Sequence, residues 1–321
     1  MPPTFTPLQI VKALLQGTLP PRPLFLPIVF SLGAKVENVS LESFLQNPTK
    51  ISQSLRQLRA HFRSDGVSCY FDPRLAAGLR SPEDAAKSPR VKAAVEVIRR
   101  LKSLVNDGSL LMASVSGPAA LAAEIAQGRV TPELHYEDLP EAALETAAAT
   151  VTHIVTAFLE AGANAVFIRE ETLPRFTAES FEAWRAALSS AFNIARFYEA
   201  LPVLQLTDPE SFARNFECIS QAHWDCVICP VLLSAVPEKL LALSATTRGI
   251  SLPVELFTGP GDEAMDEYVR SIQQSQPVVV TTADDLPWSV ENKRLLRFQE
   301  AVSSMQRGEE QLFDPSRGQV A

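Results

Sequence analysis

Residues 69–79 read CYFDPRLAAGL. The apolar run VSCYF stops at Asp72, Pro73 cannot extend a strand ladder, and Arg74 follows at once. A carboxylate and a guanidinium at the point where a buried strand opens into a loop can hold a ligand's N–H and carboxylate groups through charge-assisted hydrogen bonds. The same residues also read as a plain turn, with Asp72 accepting a backbone N–H and Arg74 pairing with a nearby acid. Both readings stay open on the sequence.

Other apolar runs end in polar groups too. Ser116 and Gly117 follow the third run, Arg169, Glu170 and Glu171 the fourth, and Gln205, Thr207 and Asp208 the fifth. Thr258 and Gly259 follow the seventh, and Thr281, Thr282, Asp284 and Asp285 the eighth. From this set Asp72, Arg74, Arg169, Gln205 and Thr282 are the expected site residues. The four histidines, His61, His135, His153 and His223, fall on expected helices or loops away from these ends, which suits packing or surface roles better than proton transfer. The stretch HWDCVICP brings His223, Cys226 and Cys229 close in sequence. Two cysteines three apart on a strand point to opposite faces, and no second pair completes a zinc set, so no metal site is expected.

The elements that must position these groups form a repeating pattern. LFLPIVF, GVSCYF, SLLMASV, NAVFI, PVLQL, DCVICPVL, LPVELF and PVVVT are near-continuous apolar runs, as in strands buried on both faces of a parallel sheet. Helical segments lie between them. Thr6, Pro7 and Gln9 predict a capping box, PTKISQSLRQLRAHFRS places Ile51, Leu55, Leu58 and Phe62 on one face, and Gly162 predicts a helix C-cap. Asp208 and Pro209 predict the start of a helix through DPESFARNFECISQA, and SVENKRLLRFQEAVSSM closes the series. Eight such alternations predict an α/β (β/α)8 barrel in a single domain over residues 1–308, with 309–321 as a polar tail. An open doubly wound sheet is the competing arrangement, but no G-x-G-x-x-G follows any strand.

Composition narrows the function classes. The 321 residues are 46% hydrophobic, enough for a large core, and carry a formal net charge of -8. That acidity disfavours a nucleic-acid surface. No uninterrupted run of 18 apolar residues suggests a membrane span, and MPPTFTPLQIVKALLQG lacks a basic leader pattern, so a cytoplasmic location is expected. The four cysteines sit in apolar contexts suited to buried thiols in a reducing compartment.

Four stretches, TPLQIVKALLQGTLPPRPLFLPIV, DGVSCYFDPRLAAGL, SVSGPAALAAEIAQG and FLEAGANAVFIREE, resemble in order the corresponding segments of the uroporphyrinogen decarboxylase superfamily, which also contains the methylcobamide-dependent methyltransferases. The resemblance implies a (β/α)8 barrel and places Asp72 where the decarboxylase aspartate faces pyrrole nitrogens. The decarboxylase R-Q-A-G-R segment corresponds to PIVFSLGAK, which has no arginine. A motif tyrosine corresponds to Glu124, and the late G-H-G histidine has no counterpart in VVVTTADDLPW. The methyltransferase zinc ligands, H-x-C and a later Cys, correspond to Gln205-Leu206-Thr207 and TTADD, which supply no thiolate.

The resemblance therefore implies a metal-free carboxy-lyase without a cofactor, acting on a tetrapyrrole or another small carboxylated molecule. The alternatives are a corrinoid-linked methyltransferase-like protein with an altered zinc site and a corrinoid protein as partner, or a non-catalytic ligand-binding barrel. A homodimer is a candidate assembly. Glu170, Glu171, Asp208, Asp284 and Asp285 are expected to gather negative charge at the mouth and to repel a polycarboxylate unless several face outward.

Overall fold

The computed structural model describes residues 5–105, 108–126, 128, 130–131, 133–230, 242–244, 247–259 and 263–305. Eight parallel strands make one sheet: β1 Leu24–Leu26, β2 Gly66–Tyr70, β3 Leu110–Ser116, β4 Ala165–Glu170, β5 Leu201–Leu206, β6 Val227–Pro230, β7 Arg248–Leu252 and β8 Val279–Thr282. Each strand pairs with its sequence neighbour from β2 to β8, and β8 returns to pair with β1, Leu24 lying beside Val279. Most residues between β6 and β7 are outside those described; helices lie between the other successive strands and cover the outside, as expected of an α/β (β/α)8 barrel.

Alternation along the strands divides the core. Leu24, Leu26, Met112, Phe167, Val203 and Ile228 belong to an inner cluster, while Val67, Ala113, Val166, Ile168, Leu204 and Val280 pack outward under the helices. The helix Pro7–Leu15 contributes Ile10, Val11 and Leu14 to the inner cluster and stops the N-terminal end of the barrel. Its start is the expected capping box, Thr6 accepting from the Gln9 N–H and Gln9 accepting from the Thr6 N–H. The next inward positions toward the C-terminal end are polar: Ser68, Ser114, Arg169 and Gln205, all buried.

The seam between β1 and β2 is closed by one side chain. Arg22 donates to both Asp65 carboxylate oxygens, at 2.8 and 2.6 Å, and the Phe25 N–H donates to the same carboxylate at 2.8 Å. The Asp65 N–H donates in turn to the Phe25 carbonyl at 3.0 Å, so backbone and side chain of one residue join the two strands.

Three sequence expectations are corrected. LPVELF supplies only Leu252 to a strand: β7 is Arg248–Leu252, and Glu255–Thr258 is a helical turn. Pro253 offers no ladder N–H, while Gly249 and Ser251 give the true strand little bulk to signal it. Thr258 and Gly259 consequently end a helix rather than a strand. The expected helix after Asp208 is two, Pro209–Arg214 and Phe216–Gln221, broken at Asn215, whose amide donates to the Pro174 and Ser211 carbonyls. The helix Glu141–Ala161, though no unbroken apolar run, has the length and hydropathy of a membrane span; here its apolar face packs on the helices Pro118–Ile125 and Ala178–Phe197. Cys218 is only half-buried, unlike the other three cysteines. Residues 309–321 lie outside the described residues.

Candidate functional site

At the C-terminal end of β2, the turn forms as the sequence suggests. The Asp72 carboxylate accepts the Arg74 N–H at 2.9 Å, and the Leu75 N–H donates to the Asp72 carbonyl. Asp72 is nonetheless more than a cap. Its side chain is 3% exposed, its second oxygen has no hydrogen-bond partner, and it lines a cavity at the barrel mouth. Arg74 and Arg90 approach the two carboxylate oxygens at 4.0 and 3.6 Å. Arg74 also lines the cavity but is mostly exposed, a rim residue.

Arg169 is the deepest charged group of this cavity. The sequence suggested that it follows a strand; it lies within β4, paired with Ser116 of β3 and Gln205 of β5. Only 7% of it is exposed. Its Nη2 donates to the Ala283 carbonyl at 3.0 Å and lies 3.8 Å from Asp284, and its guanidinium rests on the Phe71 ring, 4.6 Å from the centroid. Its Nε–H has no hydrogen-bond partner. Burial lowers its proton affinity, and Asp284, Glu171 and Asp285 partly offset that.

Ser114 and Ser116 line the same cavity, and the Ser114 hydroxyl is buried without a partner. Ser114 escaped the reading of strand ends because it lies inside β3. The period-two register Leu110, Met112, Ser114, Ser116 carries the signal that could have found it. Gln205 and Thr282 do not line the cavity. Gln205 donates to the Thr282 carbonyl at 3.1 Å, and its own carbonyl oxygen is buried without a partner just beneath. The Thr282 hydroxyl accepts the Ile28 N–H and donates to the Asp284 carbonyl, tying β8 to β1.

The acids expected at the mouth are largely consumed by structure. Glu170 points outward from β4 and is buried. It accepts the Ala119 and Ala120 N–H groups and the Trp184 indole N–H, holding the start of the helix Pro118–Ile125. Burial pushes its carboxyl up to about 7, against the pull of those donors. Asp208 caps Pro209–Arg214. Asp285 accepts the Ser31 N–H and hydroxyl, and burial likewise raises it to about 7. Of the five, only Glu171 lines the cavity.

The mouth cavity measures about 450 Å3, within the usual range of small-molecule sites. A larger and more open groove of about 540 Å3 lies on the outside, between the helices Glu141–Ala161 and Ala178–Phe197. It is lined mainly by alanines and threonines with His153 alone as a titratable group, so the mouth is the better site. The residues present do not fit the zinc of the methyltransferase branch. Among the described residues no three of His, Cys, Asp and Glu could hold a metal together. The Gln205 amide and the Thr207 hydroxyl are bonded to the carbonyls of Thr282 and Glu171. Cys226 lies in the inner cluster and Cys229 in the outer one, and burial raises both thiols away from the thiolate form.

A parallel eight-stranded barrel with a buried ionic cavity at the C-terminal mouth places the protein among the (β/α)8 barrels that carry their site at that face. Residues 70–196 match the family model described as uroporphyrinogen decarboxylase (URO-D), a span that opens at β2 and includes Asp72, Ser114 and Arg169. The match covers the middle of the chain, and over that span the chain is similar to the uroporphyrinogen decarboxylase family. A methyltransferase from Methanosarcina mazei superposes with a TM-score of 0.76 at 14% identity, over 94% of this chain and 99% of its own. The homocysteine methyltransferase MmuM from Escherichia coli superposes with a TM-score of 0.52 at 14% identity, over 91% and 99%. These structural likenesses establish the shared barrel. A search of curated proteins by sequence gives no match.

Proposed function

We propose that the protein is a uroporphyrinogen decarboxylase-like carboxy-lyase acting on a small carboxylated molecule in the barrel mouth, with no metal in the reaction. The observation that carries this reading is that three buried polar atoms without hydrogen-bond partners, Arg169 Nε, Ser114 Oγ and Asp72 Oδ2, belong to residues lining one cavity. Buried polar groups are normally satisfied, and such a cluster is what a ligand would complete. Arg169 and Ser114 offer donors to a carboxylate, and Asp72 offers an acceptor to an N–H.

A proton taken from water at a ring carbon makes a pyrrole a cation; breaking the bond to CO2 sends its electron pair into that ring, and a proton from water at the exocyclic carbon, with return of the ring proton, completes the replacement of CO2 by hydrogen. A carboxylate at the ring N–H stabilises the cation, the more strongly because the site is partly shielded from water. Asp72 is positioned for that task and Arg169 for anchoring.

The test is to give the purified protein a carboxymethyl-pyrrole and follow both binding and CO2 release. Release by wild type, lost in Asp72→Asn at unchanged melting temperature, is expected. Binding without release would favour a non-catalytic ligand-binding barrel, a reading supported by the lack of His, Cys and Tyr among the described residues of the cavity lining. The comparisons are as compatible with methyl transfer involving a corrinoid partner. The misfit of the zinc-ligand positions is what tips the balance toward the lyase.

A further inference from the structure

The charges around the mouth cavity differ in depth. Its deep wall carries Arg169, 7% exposed, with the inward-facing Ser114 and Ser116 beside it. Among the described residues its remaining charged lining is Asp72, Glu124, Glu171 and Arg74. Arg74 and the neighbouring Arg90 are both spent on Asp72. Glu124 uses one oxygen to accept the Gly78 N–H, and among the described residues neither Glu124 nor Glu171 forms a salt bridge. Glu171 is exposed at the rim, and Glu124 is half-buried. The cavity thus has one buried cation, Arg169, and a more exposed pair of glutamates, Glu124 and Glu171. The site is built: a nine-tenths buried guanidinium with an unpartnered Nε–H and, lining the same cavity, the buried Asp72 carboxylate with an unpartnered oxygen.

We propose that the ligand is a dipolar small acid, with a single carboxylate bound at Arg169 and a cationic nitrogen at the other end, held among Glu124, Glu171 and Asp72. This rests on the carboxylate anchor of the preceding section and adds the charge of the far end. A molecule with a second carboxylate would set it against Glu124 and Glu171, and repulsion between like charges in a half-closed cavity is weakly screened. A neutral far end would gain nothing from the two glutamates. The fold therefore selects against polycarboxylates at Glu124 and Glu171 while accepting a carboxylate at Arg169.

Three acids of equal chain length isolate the far end: caproate, adipate and ε-aminocaproate. Calorimetric titration of the full chain is expected to rank ε-aminocaproate tightest, by about tenfold or more over caproate, with adipate weakest. Glu124→Gln with Glu171→Gln is expected to collapse that ranking, bringing ε-aminocaproate toward caproate and letting adipate bind. Arg169→Gln is expected to remove all three, with melting curves confirming that each variant is folded. Adipate binding as tightly as ε-aminocaproate, or a preference that survives loss of both glutamates, overturns the dipolar ligand while leaving the anchor intact. If no acid binds in an Arg169-dependent way, the anchor falls and this proposal falls with it.

Discussion

The two oxygens of the Asp72 carboxylate have different surroundings, and their contributions can be separated. One oxygen accepts the Arg74 N–H, and the other lacks a hydrogen bond at the cavity wall. Asn keeps the first acceptor and loses the charge, so Asp72→Asn should fold with nearly wild-type melting. Its affinity for a carboxymethyl-pyrrole should drop by roughly 1.5–3 kcal/mol, the usual worth of a hydrogen bond to a charged group. Equal affinity in the two proteins would reduce Asp72 to a turn residue. Glu170 and Asp285 offer a second residue-scale prediction. Both are carboxyls raised by burial to about 7, from ordinary values of 4.5 and 3.8. The folded state then holds protons that the unfolded state has released, so their contribution to stability is full below the ordinary values and is lost as pH rises toward about 7. Denaturant midpoints measured across that window should fall with pH from this source. Glu170→Gln should flatten the slope while lowering stability, because an amide cannot accept all three donors. An unchanged slope in that variant would remove Glu170 from the account.

At the scale of elements, the junction between β3 and its helix is the tightest point of the site. A Cβ on Gly117 would lie 2.3 Å from the Glu170 carboxylate, and the Gly117 N–H donates to the Arg169 carbonyl at 2.6 Å. Gly117→Ala should therefore cost about 1–3 kcal/mol as an overpacked core change. It should also weaken anion binding, since displacing Glu170 disturbs the strand that carries Arg169. Urea melts and caproate titration of the same variant would show whether the two losses come together. Much of this architecture was legible. The first helix announced itself through Thr6, Pro7 and Gln9, and the strands rich in Val, Ile and Leu through unbroken apolar runs. β7 was not legible, because a strand whose inward positions are Gly249 and Ser251 has no hydrophobic pattern, while the louder LPVELF beyond it is partly helical. Of the site, Asp72 and Arg169 were visible as charges at the ends of apolar runs. Ser114 was hidden inside one, and Thr282 and Gln205 looked like mouth groups because strand position alone does not say whether a side chain reaches the cavity or is bonded into the wall.

For the whole molecule, the decisive bond set is the Asp65 seam. One carboxylate takes two guanidinium donors and the Phe25 N–H, in place of a regular ladder between β1 and β2. Asp65→Ala removes all three and leaves Arg22 half-buried beside a gap. The expected cost is about 3 kcal/mol, and hydrogen exchange should rise in β1 and β2 before the strands opposite. Uniform loss of protection across all eight strands would mean that the seam is no weaker than the rest.

The closing pair of the barrel is far apart along the chain. The Thr281 hydroxyl donates to the Leu26 carbonyl across a separation of 255 residues, and β1 has its regular ladder on the β8 side. A ribosome makes β1 some 255 residues before β8, so throughout that interval the leading strand waits without its partner. A nascent chain released before Val279 has an open sheet, an unstopped apolar bore and no binding floor, however complete its family-matching segment. Closure of the barrel thus awaits the last of its eight strands, and the first strand is the one that chaperones would meet exposed.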